Sequence, residues 1–184
     1  MPSSFQLYQE LGLRGEVNFP AFKQALKGVS RYASGQDRLL VLIDYTKPST
    51  EKRFYILDLL QKKLLLSTYV AHGRGSGDNY AVAFSNRPGS YQSSLGFFRT
   101  GDTYMGKNGY SLFLDGLEKG INDKARERAI VVHGANYADP AVLKGQQRLG
   151  RSLGCPALPP DISKQVIDTI KGGVLLYIYG LNKA

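Results

Sequence analysis

Apolar positions in the first thirty residues fall at helical spacing. Leu7, Leu11 and Leu13 start the pattern, and beyond Pro20 it continues through Phe22, Ala25, Leu26 and Val29. Residues 5–32 therefore read as a helical packing element. After the Ala33-Ser34-Gly35-Gln36 break the period changes. Residues 39–45, 53–57 and 64–70 are short runs of aliphatic and aromatic residues separated by turn formers, and they predict a meander of three strands. Residues 73–109 are rich in Gly, Ser, Asn and Tyr, which suits loops and short hairpins around the apolar pieces at 81–84 and 97–100. Residues 110–114 and 130–133 read as two further strands. Ile162, Val166, Ile167 and Ile170 are spaced for a short helix over 161–171, and 174–179 reads as a final buried strand.

The pattern predicts a mainly β (α+β) fold with peripheral short helices. A helical segment over 1–36 packs on a main domain over 37–184. A chain of 184 residues, 42% of them hydrophobic, is long enough for one substantial core. It contains no apolar run near the roughly 20 residues of a membrane-spanning helix. Residues 1–10 lack the basic start and apolar stretch of a secretory signal, so an exported form needs a targeting segment removed before this sequence begins.

The formal charge of +9 makes the surface attractive to polyanions, of which nucleic acid and an anionic cell wall are two. The basic residues are scattered rather than gathered on one helix or arm, which argues against nucleic acid. One cysteine excludes an internal disulfide, and with only two histidines it excludes a Cys-rich zinc site; no metal or cofactor is expected.

Two segments stand apart chemically. Ile130-Val131-Val132-His133-Gly134 places a histidine at the end of an apolar strand, and Ser152-Leu153-Gly154-Cys155-Pro156 places the single cysteine in a loop rich in Gly and Pro. At such a loop a backbone N–H can approach a bound carbonyl. A neighbouring imidazole raises the thiolate fraction of a thiol, so His133 or His72 is the candidate base. His133 is preferred because a strand end holds a ring rigidly, whereas His72 leads into the Gly73-Arg74-Gly75-Ser76-Gly77 run and reads as a surface residue. That run lacks the Lys-Ser/Thr ending of a phosphate loop. Cys155 is also readable as a small buried hydrophobe, and His133 as a hydrogen-bonded core residue.

These residues carry a resemblance. His133-Gly134 followed by Ser152-Leu153-Gly154-Cys155 resembles the His-Gly and Ser-x-Gly-Cys signature of L,D-transpeptidase catalytic domains. Ser85-Asn86-Arg87-Pro88-Gly89-Ser90, Ser94-Leu95-Gly96, the stretch from Ser111-Leu112 to Asp115-Gly116-Leu117, and the terminal strand extend the likeness to the murein L,D-transpeptidase branch, from about residue 39 onward. Leu153 and Ala157 depart from the commoner pattern, which has His or Asn and then Arg at those places, and the connector between His133 and Cys155 is long.

The resemblance implies an L,D-transpeptidase-like mixed β-sheet or sandwich domain that acts in the periplasm or outside the cell. Its substrates and partners would be the peptidoglycan stem peptides that serve as donor and acceptor. Cys155 would attack the carbonyl at the L-centre of a diamino acid and expel the terminal D-Ala, and His133 would activate the thiol. Ser152, the third candidate catalytic residue, would orient the loop or the ring; as a serine in a turn it reads equally as a cap of the local backbone. Backbone N–H groups around Gly154 and Cys155 would hold the oxyanion, Arg151 would replace the missing arginine, and His72 and Gly134 would line the substrate cleft. Transfer to a second stem makes a 3-3 cross-link, and transfer to water makes an L,D-carboxypeptidase. A catalytically silent wall-binding module and an unrelated cysteine protease are the other classes weighed.

Overall fold

The structure, a computed structural model, describes residues 2–32, 34 and 38–183. The helical start is two helices, α1 (Ser4–Glu10) and α2 (Phe19–Arg31). The Ser3 side chain accepts the Gln6 N–H at 3.1 Å to cap α1, and Gly12, at φ +67, turns the chain beyond its end. The expected break at 33–36 and the division at 36/37 fall largely outside the described residues.

Eight strands form one mixed sheet, in the order β3-β2-β1-β8-β4-β5-β6-β7. They are β1 (Leu39–Asp44), β2 (Phe54–Asp58), β3 (Lys63–Thr68), β4 (Gly96–Gly106), β5 (Gly109–Gly116), β6 (Val131–Gly134), β7 (Ala157–Leu158) and β8 (Leu175–Tyr179). The mainly β architecture with a few helices is as the residue pattern predicts. The meander β1-β2-β3 is antiparallel, but β1 pairs in parallel with β8 from the far end of the chain. The hairpin β4-β5 is longer than the loops and short strands expected there. Its outer half is half-exposed and polar, so no apolar alternation marked it.

The two-residue period of strands sorts side chains into two cores. Val41, Ile43, Phe54, Ile56, Leu176 and Ile178 face one side, where α3 (Pro160–Ile170) adds Val166, Ile167 and Ile170. Leu40, Leu42, Tyr55, Leu57 and Leu175 face the other, against Tyr8, Leu11, Leu13, Ala21 and Phe22 from the two leading helices and the segment that joins them. The contact there is close. A Cβ on Gly28 of α2 stands 2.0 Å from the Phe97 ring, which is itself stacked on Tyr177 at 4.3 Å. Alanine in a helix gains about 1 kcal/mol over glycine, but overpacking of this severity costs about 1–3 kcal/mol. Gly28→Ala should therefore destabilise the fold by up to about 2 kcal/mol in urea unfolding; a raised midpoint would show that the Phe97 ring yields.

The sheet is nearly closed. Just past β3, Ala71 exchanges backbone hydrogen bonds with Ala157 of β7 at 2.8 and 3.3 Å, and Gly73 bridges to Ser152. This closure places the cysteine loop.

Candidate active site

The loop that carries Cys155 is held at its base by backbone bonds from Ser152 N–H to His72 O (2.9 Å) and from Arg74 N–H to Ser152 O (2.8 Å). Inside the turn the Ser152 hydroxyl donates to Cys155 O at 2.6 Å and accepts the Gly154 N–H at 3.1 Å. Gly154 adopts φ +126, and a Cβ there would stand 3.0 Å from both Gln92 O and Ile130 Cδ1, so the position requires glycine. In the parallel pairing of β6 with β7, His133 faces Ala157, and this places Cys155 alongside Val131. The Val131 N–H points at Sγ (3.5 Å), and the thiol faces Ala129 O (3.4 Å). Cys155 is 9% exposed.

His133 lies two residues along β6 from Val131, on the same face, while Val132 between them enters the core. Its Nδ1 stands 2.9 Å from Gly134 O. A carbonyl only accepts, so Nδ1 carries the proton, and the neutral ring keeps its lone pair on Nε2, the nitrogen a base needs free. Burial pushes the imidazole below its ordinary range, partly offset by the Gly134 carbonyl. Burial pushes the Cys155 thiol up, opposed by the Val131 N–H and by the charges of Arg128 and Lys107. Both directions favour an uncharged thiol and imidazole at rest.

Sulfur and ring line one cavity of about 450 Å³, together with Tyr104, Lys107, Tyr137, Arg151 and Leu153. Among the described residues they make no direct hydrogen bond to each other. The same cavity wall includes Lys107 and Asn108 at the tip of the β4-β5 hairpin.

The other expected site residues divide. Ser152 spends its hydroxyl on the loop, not on the ring. The Gly154 N–H is taken by Ser152, whereas the Cys155 N–H has no partner among the described residues. Arg151 lines the cavity, but its guanidinium is turned to Gly77 O (3.2 Å) and Asp78 (3.5 Å). Gly134 packs under α3, where a Cβ would stand 2.4 Å from Ser163 Oγ, and it borders a second cleft shared with Tyr137 and Pro160.

The expectation of a surface His72 is overturned, and the structure does not bring this residue to the cavity. His72 is fully buried, accepts from Arg53 Nη2 at Nδ1 (2.9 Å) and donates from Nε2 to Gly77 O (3.2 Å). The glycine run is likewise knit in place, by Gly73 N–H to Ser93 Oγ and Gly75 N–H to Tyr91 O. Burial and the Arg53 charge push the His72 pKa down to about 3. Between about pH 6.5 and that value the unfolded chain binds a proton that the folded chain refuses, so stability falls as pH falls, by up to about 1.4 kcal/mol per unit. From pH 7 to 4.5 the chain should lose about 2 kcal/mol more than His72→Gln does in urea unfolding. Parallel losses in the two proteins would sink this account; the carboxylates common to both cancel.

Arg128, also on the cavity wall, was not found from the sequence. It lies in the charged stretch Lys124-Ala125-Arg126-Glu127-Arg128, which resembles a solvated face. Its only signal is its place three residues before β6, the strand that carries His133.

The nearly closed mixed sheet thus carries a cysteine loop on its seam and a histidine strand beside it. The family model for the L,D-transpeptidase catalytic domain matches residues 13–179, and the chain belongs to that family. No curated protein matches the chain. Among solved structures it is similar to the helical cell shape determining protein Pgp2 from Campylobacter jejuni, at 16% identity and a TM-score of 0.52, over 98% of this chain and 57% of that one. It is also similar to an L,D-transpeptidase from Mycobacterium smegmatis (13% identity, TM-score 0.47, 78% of this chain and 59% of that one). A third is an L,D-transpeptidase from Stackebrandtia nassauensis (13%, 0.47, 96% and 76%). The chain thus spans less than two thirds of the length of the first two. Among the described residues no helix is long and apolar enough to cross a membrane.

Proposed function

We propose that this chain is a cysteine-dependent acyltransferase on peptidoglycan stem peptides, an L,D-transpeptidase that works outside the cytoplasm. The observation that carries the reading is the shared cavity of Cys155 and His133, in which the Gly134 carbonyl fixes the ring tautomer with Nε2 free. The Cys155 sulfur attacks the carbonyl carbon at the L-centre of the donor's diamino acid while His133 Nε2 takes the thiol proton. The carbon–nitrogen bond to the terminal D-residue breaks, and His133 returns the proton to the leaving amine. The oxyanion is met by the unpartnered Cys155 N–H; a donor of this kind is typically worth about 3–4 kcal/mol. A second stem's side-chain amine then attacks the thioester, forming the amide and releasing the sulfur. Water in place of that amine gives L,D-carboxypeptidase activity.

Incubation with purified muropeptides, read by mass spectrometry, tests the reading. The expected product is a dimer linked through two diamino acids and dependent on Cys155. Tripeptide without dimer assigns the hydrolytic variant. Unchanged stems, with equal peptidoglycan binding by the chain and by Cys155→Ala, would leave only a wall-binding module.

A further inference from the structure

Arg128 stands in the turn that leads into β6, and its guanidinium lies half-buried on the wall of the Cys155 cavity. Its Nη2 is 3.5 Å from the point where a Cβ on Gly154, the residue before the cysteine, would stand. Four hydrogen bonds hold the group. Nη1 donates to Ser85 O (2.9 Å) and Ser94 Oγ (2.7 Å), and Nη2 to Ser90 Oγ (3.1 Å) and Gln92 O (2.8 Å). All four acceptors are neutral. Among the described residues no carboxylate lines this cavity, so none there cancels the charge of the guanidinium.

A cation with its terminal N–H groups all committed to the scaffold has little left with which to clasp a ligand. What it offers the cavity is a rigid charge at low dielectric, which acts on charge developing nearby without having to reorganise. The remaining charged and titratable groups that face the sulfur do less or act differently. Lys107 projects from the exposed β4-β5 tip, where water screens it. Arg151 is paired with Asp78. His133 rests uncharged, and Tyr104 and Tyr137 are phenols on the cavity wall. Tyr45 is sealed in the core behind the loop.

We infer that Arg128 is a positioning residue of this site, whose fixed positive charge stabilises negative charge on the Cys155 sulfur. The inference rests on Cys155 being the nucleophile. The direction in which Arg128 moves the thiol agrees with it.

A plain staple for the loop 85–94 is the competing role, and the test separates the two. Iodoacetamide alkylates a thiolate, forming a sulfur–carbon bond and releasing iodide, so its rate against pH gives the midpoint of Cys155 ionisation without any substrate. Arg128→Gln should raise that midpoint by about one pH unit and slow alkylation at pH 7 about tenfold. Arg128→Lys, which keeps the charge and loses the fork, should stay near the parent protein. The double variant Ser90→Ala/Ser94→Ala cuts two of the staple's bonds and keeps the charge, so its midpoint should not move; it carries the test if Arg128→Gln does not fold. An unchanged midpoint in Arg128→Gln, equal shifts in the Lys and Gln variants, or a shift in the serine double variant would each overturn the assignment. Because alkylation needs no peptide, inactivity toward muropeptides with a moved midpoint would sink the proposed activity and leave this inference standing.

Discussion

Cys155→Ala should lose stem-peptide turnover by about 10⁴-fold or more, because removing the nucleophile leaves only binding and the oxyanion donor. The fold should be unchanged. The sulfur's two polar contacts are weak ones, at 3.4 and 3.5 Å, so their loss costs well under about 1 kcal/mol. His133→Gln keeps a polar group on β6 but cannot take the thiol proton, and should cost about 10²–10⁴-fold. The pH profile of kcat/KM adds a sign. The low-pH limb, where His133 must lose its proton to act as base, lies below the ordinary imidazole range because burial lowers it. The high-pH limb, where thiol and ring no longer hold the proton the leaving amine needs, lies above the ordinary thiol range because burial raises it. The plateau should therefore be wider than the gap between a free imidazole and a free thiol, with both limbs belonging to the pair. A narrow bell centred between those ordinary values, or turnover by Cys155→Ala above a tenth of the parent, would remove the basis for the mechanism.

The second large effect belongs to Arg53. It is fully buried and donates to Val70 O from Nε and Nη2 (3.0 and 2.6 Å), to Lys47 O (3.0 Å) and to His72 Nδ1 (2.9 Å). Burial lowers its pKa to about 10, which still leaves it charged at neutral pH. Arg53→Met strands two carbonyls and a ring nitrogen in the core, each costing about 1–3 kcal/mol. Relief of the buried charge offsets part of that. A net loss of about 3 kcal/mol is expected in urea unfolding, with faster amide exchange at Ser152, whose N–H is bonded to His72 O. A loss under about 0.5 kcal/mol would mean that water replaces the guanidinium without penalty.

How much of this the chain's residues announce differs between elements. Strands β1, β2 and β8 are apolar on both faces, so their runs stood out, as did the helical spacing of Val166, Ile167 and Ile170. The pairing of β1 with β8 did not, because no local pattern encodes a partner more than 130 positions away. Ala157 and Leu158 looked like loop beside Gly154 and Pro156, and they are strand only because Ala71 and His133 flank them. His133 and Cys155 stood out from residue type and setting, and the structure brings both to one cavity. His72 was misplaced because glycine neighbours signal a surface loop, whereas here they allow backbone segments to close over it; a Cβ on Gly73 would stand 2.9 Å from Gly154 Cα. Arg128 was hidden because a cation in a charged run carries no mark of which way it turns.

The position of β8, inserted between β1 and β4, makes the last of the eight described strands in chain order the keystone of the sheet. Until it docks, the leading three strands and the hairpin that faces them are two half-sheets with bare inner edges, held to each other at the far side by the seam bonds of Ala71 with Ala157 and of His72 and Arg74 with Ser152. A nascent or truncated form ending before residue 175 already holds the sulfur and the imidazole, yet lacks the span that keeps their supports in register.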